Sequence, residues 1–149
     1  MRSAWIAAAV LALSAAAGCG PDPRELEPGM KSMLRDLAKA VVVNDKPTIQ
    51  ALILVDAGQR GNPVGAKDVE TPEGREKLYE ANRRWIRKTF KDAGIVEDKD
   101  VETFMQAIKF SIEGKNAWVN FEIAAEQRRA AEVVTFRLSK MEKGWRMWE

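Results

Sequence analysis

The chain has 149 residues, 24 basic and 22 acidic side chains, a single cysteine and no histidine. One ordinary domain fits in that length, a near-zero net charge argues against bulk nucleic-acid binding, and charges spread through apolar stretches read as a folded domain and not a disordered one. Without histidine the commonest general base, the His-activated nucleophiles and the usual zinc ligand are all missing, and one cysteine cannot form an intramolecular disulfide or a thiolate cluster, so neither a metal nor a cofactor is expected.

The first nineteen residues run Met1-Arg2-Ser3, an apolar stretch from Ala4 to Ala17, then Gly18-Cys19. A basic residue, an apolar core and small residues before a cut are the layout of an export signal. Fourteen apolar residues rise about 21 Å as a helix, short of the ~30 Å hydrocarbon core, so a permanent span is the poorer reading. Ala16-Ala17-Gly18-Cys19 resembles the bacterial lipobox, with Ala16 where a larger aliphatic residue is usual. The resemblance implies that residues 1–18 are a lipoprotein signal peptide, that cleavage falls between Gly18 and Cys19, and that Cys19 carries the lipid, diacylglycerol with palmitate-type chains. The alternative is Ala-x-Ala cleavage at Ala15-Ala16-Ala17, which leaves a free thiol. Gly20 in place of Asp after the cysteine resembles lipoproteins sorted to the outer membrane of a diderm host. Removing Arg2 leaves 23 basic against 22 acidic side chains, a net charge of +1.

Residues 19–28 hold three prolines and are expected to form an extended tether, about 25 to 30 Å long, before a single domain over residues 29–149. From Met30 the apolar positions Met33, Leu34, Leu37, Ala38 and Val41 recur three and four apart and predict a helix. Asn44 to Pro47 ends it, and Asp45 caps a short helix through Ile49, Leu52 and Ile53. Residues 57–70 read as a long loop with a short edge strand near residues 64–69. Thr71-Pro72-Glu73 starts a second long helix that Gly94 stops, with Leu78, Tyr79, Trp85, Ile86 and Phe90 on its inner side. Its second half carries Arg83, Arg84, Arg87, Lys88 and Lys91. The favoured reading of these charges is a solvated face that complements the negative helix end; the other is a patch for anionic lipid headgroups.

Past Val101 the apolar positions alternate, and four strands are predicted over residues 103–113, 116–125, 130–140 and 145–149. A two-residue turn at Gly114-Lys115 sets Ile112 opposite Ala117, Phe110 opposite Val119 and Ile108 opposite Phe121. The next hairpin sets Phe121, Val119 and Ala117 opposite Val134, Phe136 and Leu138, and Trp145 and Met147 join the same face. At about 1.5 to 3 kcal/mol for each large buried side chain, this face is the core. Trp118, Arg137 and Trp148 then fall on the opposite face. They read either as a cation-π row over an exposed sheet or as a partner or self-association surface.

Helix, break at Asn44-Asp45, short helix, long helix, then a meander ending in Gly144-Trp145-Arg146-Met147-Trp148 resembles the cystatin-like superfamily of nuclear-transport-factor domains. The resemblance covers about residues 30–149 and implies an α+β fold, with N-terminal helices on the concave face of a four-stranded antiparallel meander sheet that forms a cone. It implies that Tyr79, Trp85, Phe90, Phe110 and Trp145 are candidates to line a pocket. Enzymes of that superfamily, such as ketosteroid-isomerase-like members, place Asp, His or Tyr in the cone, whereas here the inward row offers only Gln106 and Glu132 as polar members, with Tyr79 on the helix. The expected function is therefore a membrane-tethered binding or scaffold lipoprotein of the bacterial cell envelope. A carrier of a small hydrophobic ligand is the alternative, and a histidine-free isomerase-like enzyme follows that.

Overall fold

The computed structural model describes residues 22–54 and 71–148. Cys19, Gly18, the signal segment and the expected strand near residues 64–69 lie outside the described residues. Four helices precede four strands: α1 Pro23–Val43, α2 Lys46–Leu52, α3 Pro72–Asp92, α4 Asp98–Ala107, then β1 Lys109–Glu113, β2 Asn116–Ile123, β3 Glu132–Met141 and β4 Gly144–Met147. The strands form one antiparallel sheet in the order β1-β2-β3-β4, and the helices pack on one of its faces, the α+β arrangement expected from the sequence.

α1 begins seven residues before Met30, which corrects the extended reading of residues 23–28. Pro23 occupies the first turn, where a missing N–H costs no bond, and the Asp22 carboxylate accepts from the Arg24 N–H at 2.9 Å. Pro28 lies within the helix, and the boundary expected between residues 28 and 29 falls in its middle. Met30, Leu34, Leu37 and Ala38 are fully buried along one stripe. Asn44 closes the helix in the left-handed region at φ 56°, a conformation Asn tolerates, with its N–H on the carbonyls of Ala40 and Val41. α2 follows at once, capped by Asp45, and Ile53 leaves it to bridge Met147 in parallel while the Leu54 N–H reaches the Met147 carbonyl at 2.8 Å. That bridge covers part of the outer edge of β4.

α3 starts on the Thr71 hydroxyl, which accepts from the Gly74 N–H at 3.0 Å, and ends beside Gly94 at φ 81°, as the sequence predicts. α4 is the main departure. Residues 103–107, expected as the start of a strand, are helical, because Val101, Phe104, Met105 and Ile108 follow a spacing of three and four and Glu97 with Asp100 forms a capping box. Gln106 is therefore exposed on α4 and not an inward member of the sheet.

The predicted pairs Ile112↔Ala117, Phe110↔Val119, Phe121↔Val134, Val119↔Phe136 and Ala117↔Leu138 are present, with Gly114 at φ 58° in the first hairpin turn, whereas Ile108, expected opposite Phe121, instead closes α4 and precedes the ladder. Leu138 faces Met147 and Lys140 faces Trp145. At the centre, Phe121 and Phe136 of the sheet meet Phe90 of α3 and Phe104 of α4 edge to face, with ring centroids 5.0 to 5.6 Å apart among the T-shaped pairs. Such pairs add about 0.5 to 1.5 kcal/mol each to the burial of the rings.

Candidate functional site

Among the described residues, the five side chains expected to line a pocket have different surroundings. Phe90 is fully buried in the aromatic cluster, with Phe104, Phe121 and Phe136 on its edges. Trp145 is buried against α1 at Gly29, where a methyl group in place of hydrogen would meet the indole at 3.6 Å. Phe110 is half-buried under Lys31, whose ammonium sits 4.9 Å from the ring centre. Trp85 is 43% exposed, which corrects its inward placement: it stands one position round the helix from Ile86 and only its ring edge touches Phe136, at 5.7 Å. Tyr79 is half-buried on α3. None of the grooves named below is lined by any of these five.

Glu132, the carboxylate an enzyme would need in an apolar interior, is exposed at the start of β3 and paired with Arg128. The sequence placed it inward by extending the strand alternation to the hairpin end. Glu132 does keep that parity, opposite the buried Ile123, but as the first residue of the strand it lies at the sheet's end and is exposed. Arg128 also reaches Asp92 at the end of α3, 3.3 Å away, so this pair ties the β2–β3 turn to a helix. The Asp92 carboxyl is held below the usual range, chiefly by Lys88 and then by Arg128. Among the described residues no group of acids or other ligands is gathered as for a metal.

The outer face of the sheet does bring its expected residues together. Trp118 on β2 is the direct partner of Arg137 on β3. The chain after β4 continues alongside β3, with the Trp148 N–H donating to the Arg137 carbonyl at 2.8 Å, and the Arg137 guanidinium lies over the Trp148 ring, 5.7 Å from its centre. Arg137 is exposed and both indoles are half-buried.

A second contact, absent from the sequence reading, fixes this arrangement. Trp148 Nε1–H donates to Ser139 Oγ at 2.6 Å, and the Ser139 hydroxyl donates onward to Asn116 Oδ1 at 2.8 Å. Ser139 is buried on a face that otherwise meets solvent, because the indole lies across it. By parity with Arg137, Ser139 lies on the outer side of β3, and it is the path of the chain beyond Met147 that covers it. Next along the strands, the Thr135 hydroxyl donates to Asn120 Oδ1 at 2.6 Å. The result is an outer face on which the Trp148 indole is held by Ser139 and covered by the Arg137 guanidinium, with Trp118 beside Arg137 on the neighbouring strand. Such a face can stack on planar or apolar groups and donate hydrogen bonds to an acceptor.

A separate groove of about 390 Å³ lies between the end of α1, the second half of α3 and the turn after it, lined by Val41, Val42, Arg87, Lys88, Lys91, Ile95 and Val96. Two further grooves, of about 200 and 350 Å³, open on the α4 and β2 side and include Phe121 and Glu122. Among the described residues no helix is long and apolar enough to cross a membrane. No family model, no curated protein and no solved structure matches the chain.

Proposed function

We propose that the chain is an exported bacterial lipoprotein, held to a membrane of the cell envelope by lipid on Cys19, and that its α+β domain is a binding or scaffold module which presents the outer face of the sheet to a protein partner or a second copy. The observation that carries the module reading is the row Trp118, Arg137 and Trp148, in which the Ser139 and Asn116 relay holds the Trp148 indole and Arg137 lies over it. Tryptophan and arginine are the residue types that anchor interfaces, and an anchor already ordered before binding loses less side-chain entropy on association. The dispersal of the five inner aromatic residues and the pairing of Glu132 with Arg128 favour this reading over a ligand carrier or an enzyme.

The export reading rests on the apolar run and Gly18-Cys19, and Gly20 favours the outer membrane in a diderm host. With α1 starting at Pro23, the chain from Cys19 to Asp22 spans at most about 13 Å, so the domain would ride close to the bilayer.

Metabolic labelling with an alkyne analogue of palmitate tests the anchor: the wild-type chain takes label and Cys19→Ala does not, in a host shown to modify its other lipoproteins. Crosslinking in intact envelopes tests the surface. Trp118→Ala with Trp148→Ala should lose the crosslinked species while the circular dichroism of the folded domain persists. An unlabelled wild-type chain refutes the anchor, and unchanged crosslinks refute the surface.

A further inference from the structure

On α3, residues 84, 87, 88 and 91 are spaced three and four apart and therefore share one face. The structure sorts their charges. Arg83, just outside this stripe, is tied to Glu80 and to Asn44 Oδ1, and Lys88 is paired with Asp92 at 2.6 Å. Arg84, Arg87 and Lys91 are exposed and make no ion pair to a described residue. Arg87 and Lys91 line the 390 Å³ groove together with Val41, Val42, Ile95 and Val96, and no acid lines it. Val96, which lines it, is 60% exposed, and Val43, next in the chain after the lining Val42, is 72% exposed, two of the large apolar side chains that face solvent among the described residues.

Unpaired cations around protruding aliphatic side chains are the composition of a surface that sits in the headgroup region of a bilayer. The cations meet phosphates while the valines enter the acyl boundary. We infer that this groove and its rim dock the domain on an anionic phospholipid bilayer. Charge complementarity is what selects the occupant: a neutral bilayer or a neutral protein would leave Arg84, Arg87 and Lys91 without partners. An acidic polypeptide would satisfy the cations but would give Val43 and Val96 no apolar medium.

The inference rests on the tethered reading only for local concentration, not for its chemistry. It adds an orientation. α1 is about 32 Å long, with the anchor near its start and the groove at its end, so docking requires α1 to lie along the membrane rather than stand on it.

The test uses the full chain with Cys19→Ser, which removes the single native thiol, and one new cysteine carrying an environment-sensitive nitrobenzoxadiazole probe. The cysteine is placed at Val96 (Val96→Cys) or, as reference, at the hairpin tip (Lys115→Cys). Neither chain carries a lipid in this test, so loss of the Cys19 anchor reading leaves it intact. In vesicles of phosphatidylcholine with phosphatidylglycerol and a nitroxide-labelled lipid, the probe at 96 should shift to the blue and be quenched. In phosphatidylcholine alone it should not, and at 115 it should stay aqueous in both. Arg87→Gln with Lys91→Gln should lower the docked-to-undocked ratio roughly 30-fold with the circular dichroism unchanged. Salt at about 0.5 M should act in the same direction. Equal signals at 96 and 115, indifference to phosphatidylglycerol, or indifference to the two substitutions overturns the proposal. So does a blue shift at 96 produced by soluble polyglutamate without vesicles, which would assign the groove to an acidic polypeptide.

Discussion

Replacing Ser139 with alanine removes a hydroxyl that both accepts from Trp148 Nε1–H and donates to Asn116 Oδ1. Because Ser139 is only 7% exposed, water cannot take its place without disturbing the indole. Two ordinary hydrogen bonds contribute about 0.5 to 1.5 kcal/mol each, and a donor left unpaired under cover costs about 1 to 3 kcal/mol, so Ser139→Ala should destabilise by about 2 kcal/mol. For a domain of this size that corresponds to a fall in Tm of roughly 8 °C. Trp148→Phe keeps an aromatic ring but removes the five-membered ring with its N–H, and should cost about 1 kcal/mol for the lost bond together with the packing of the missing atoms. Because both changes break the same bond, the double variant should be about 1 kcal/mol less damaged than the sum of the two singles. Urea unfolding followed by far-ultraviolet circular dichroism measures all three, since tryptophan fluorescence would itself change with Trp148. A coupling energy of zero within ~0.3 kcal/mol, with the denaturant slope unchanged, would show that the indole is not held by this relay and that the outer face is not ordered before binding.

Thr89→Val should stabilise the domain by about 1 kcal/mol, since the buried Thr89 Oγ1 has no hydrogen-bond partner among the described residues and valine fills the same shape; a fall in Tm in a thermal scan would contradict this. Asp22→Ala should destabilise the domain by about 1 kcal/mol, because it removes the cap on the Arg24 N–H, and an unchanged urea midpoint would count against the cap. The Arg83 guanidinium, with Lys46 beside it, lowers the Glu80 carboxyl from 4.5 to about 2. A carboxyl depressed in the folded state contributes stability at pH values above 4.5 that is lost as pH falls toward 2, so Glu80→Gln should lower Tm most in the neutral region and little near pH 2, which flattens the acid limb of the Tm against pH curve between those values; an unchanged acid limb would refute this.

Much of this fold was legible in the chain because its signals are local. Thr71-Pro72 and Gly94 bound α3, Asn44-Asp45 separates α1 from α2, and Gly114-Lys115 sets a hairpin register that carries through β3. The errors arose where one stretch satisfied two patterns. Phe104, Gln106 and Ile108 alternate as a strand would, yet Val101, Phe104, Met105 and Ile108 also follow helical spacing, and the capping box at Glu97 decides between them. Pro23 and Pro28 argued for extended chain by composition, but a proline in a first turn starts a helix as readily as it prevents one.

Sequence alone determined which face of each strand is apolar, and with it the side on which Trp118, Arg137 and Trp148 must stand, because a period of two leaves no other arrangement once one face is buried. Only the tertiary structure decided what meets whom across elements. It separated the inner aromatics into a packed cluster, a helix contact and an exposed flank, and it laid the Trp148 indole over Ser139. It also brought the end of α1 beside the unpaired cations of α3. Periodicity reports the orientation of a side chain about its own axis, whereas a groove or a hydrogen-bond relay depends on the separation of two axes, and that is set by how the whole core packs.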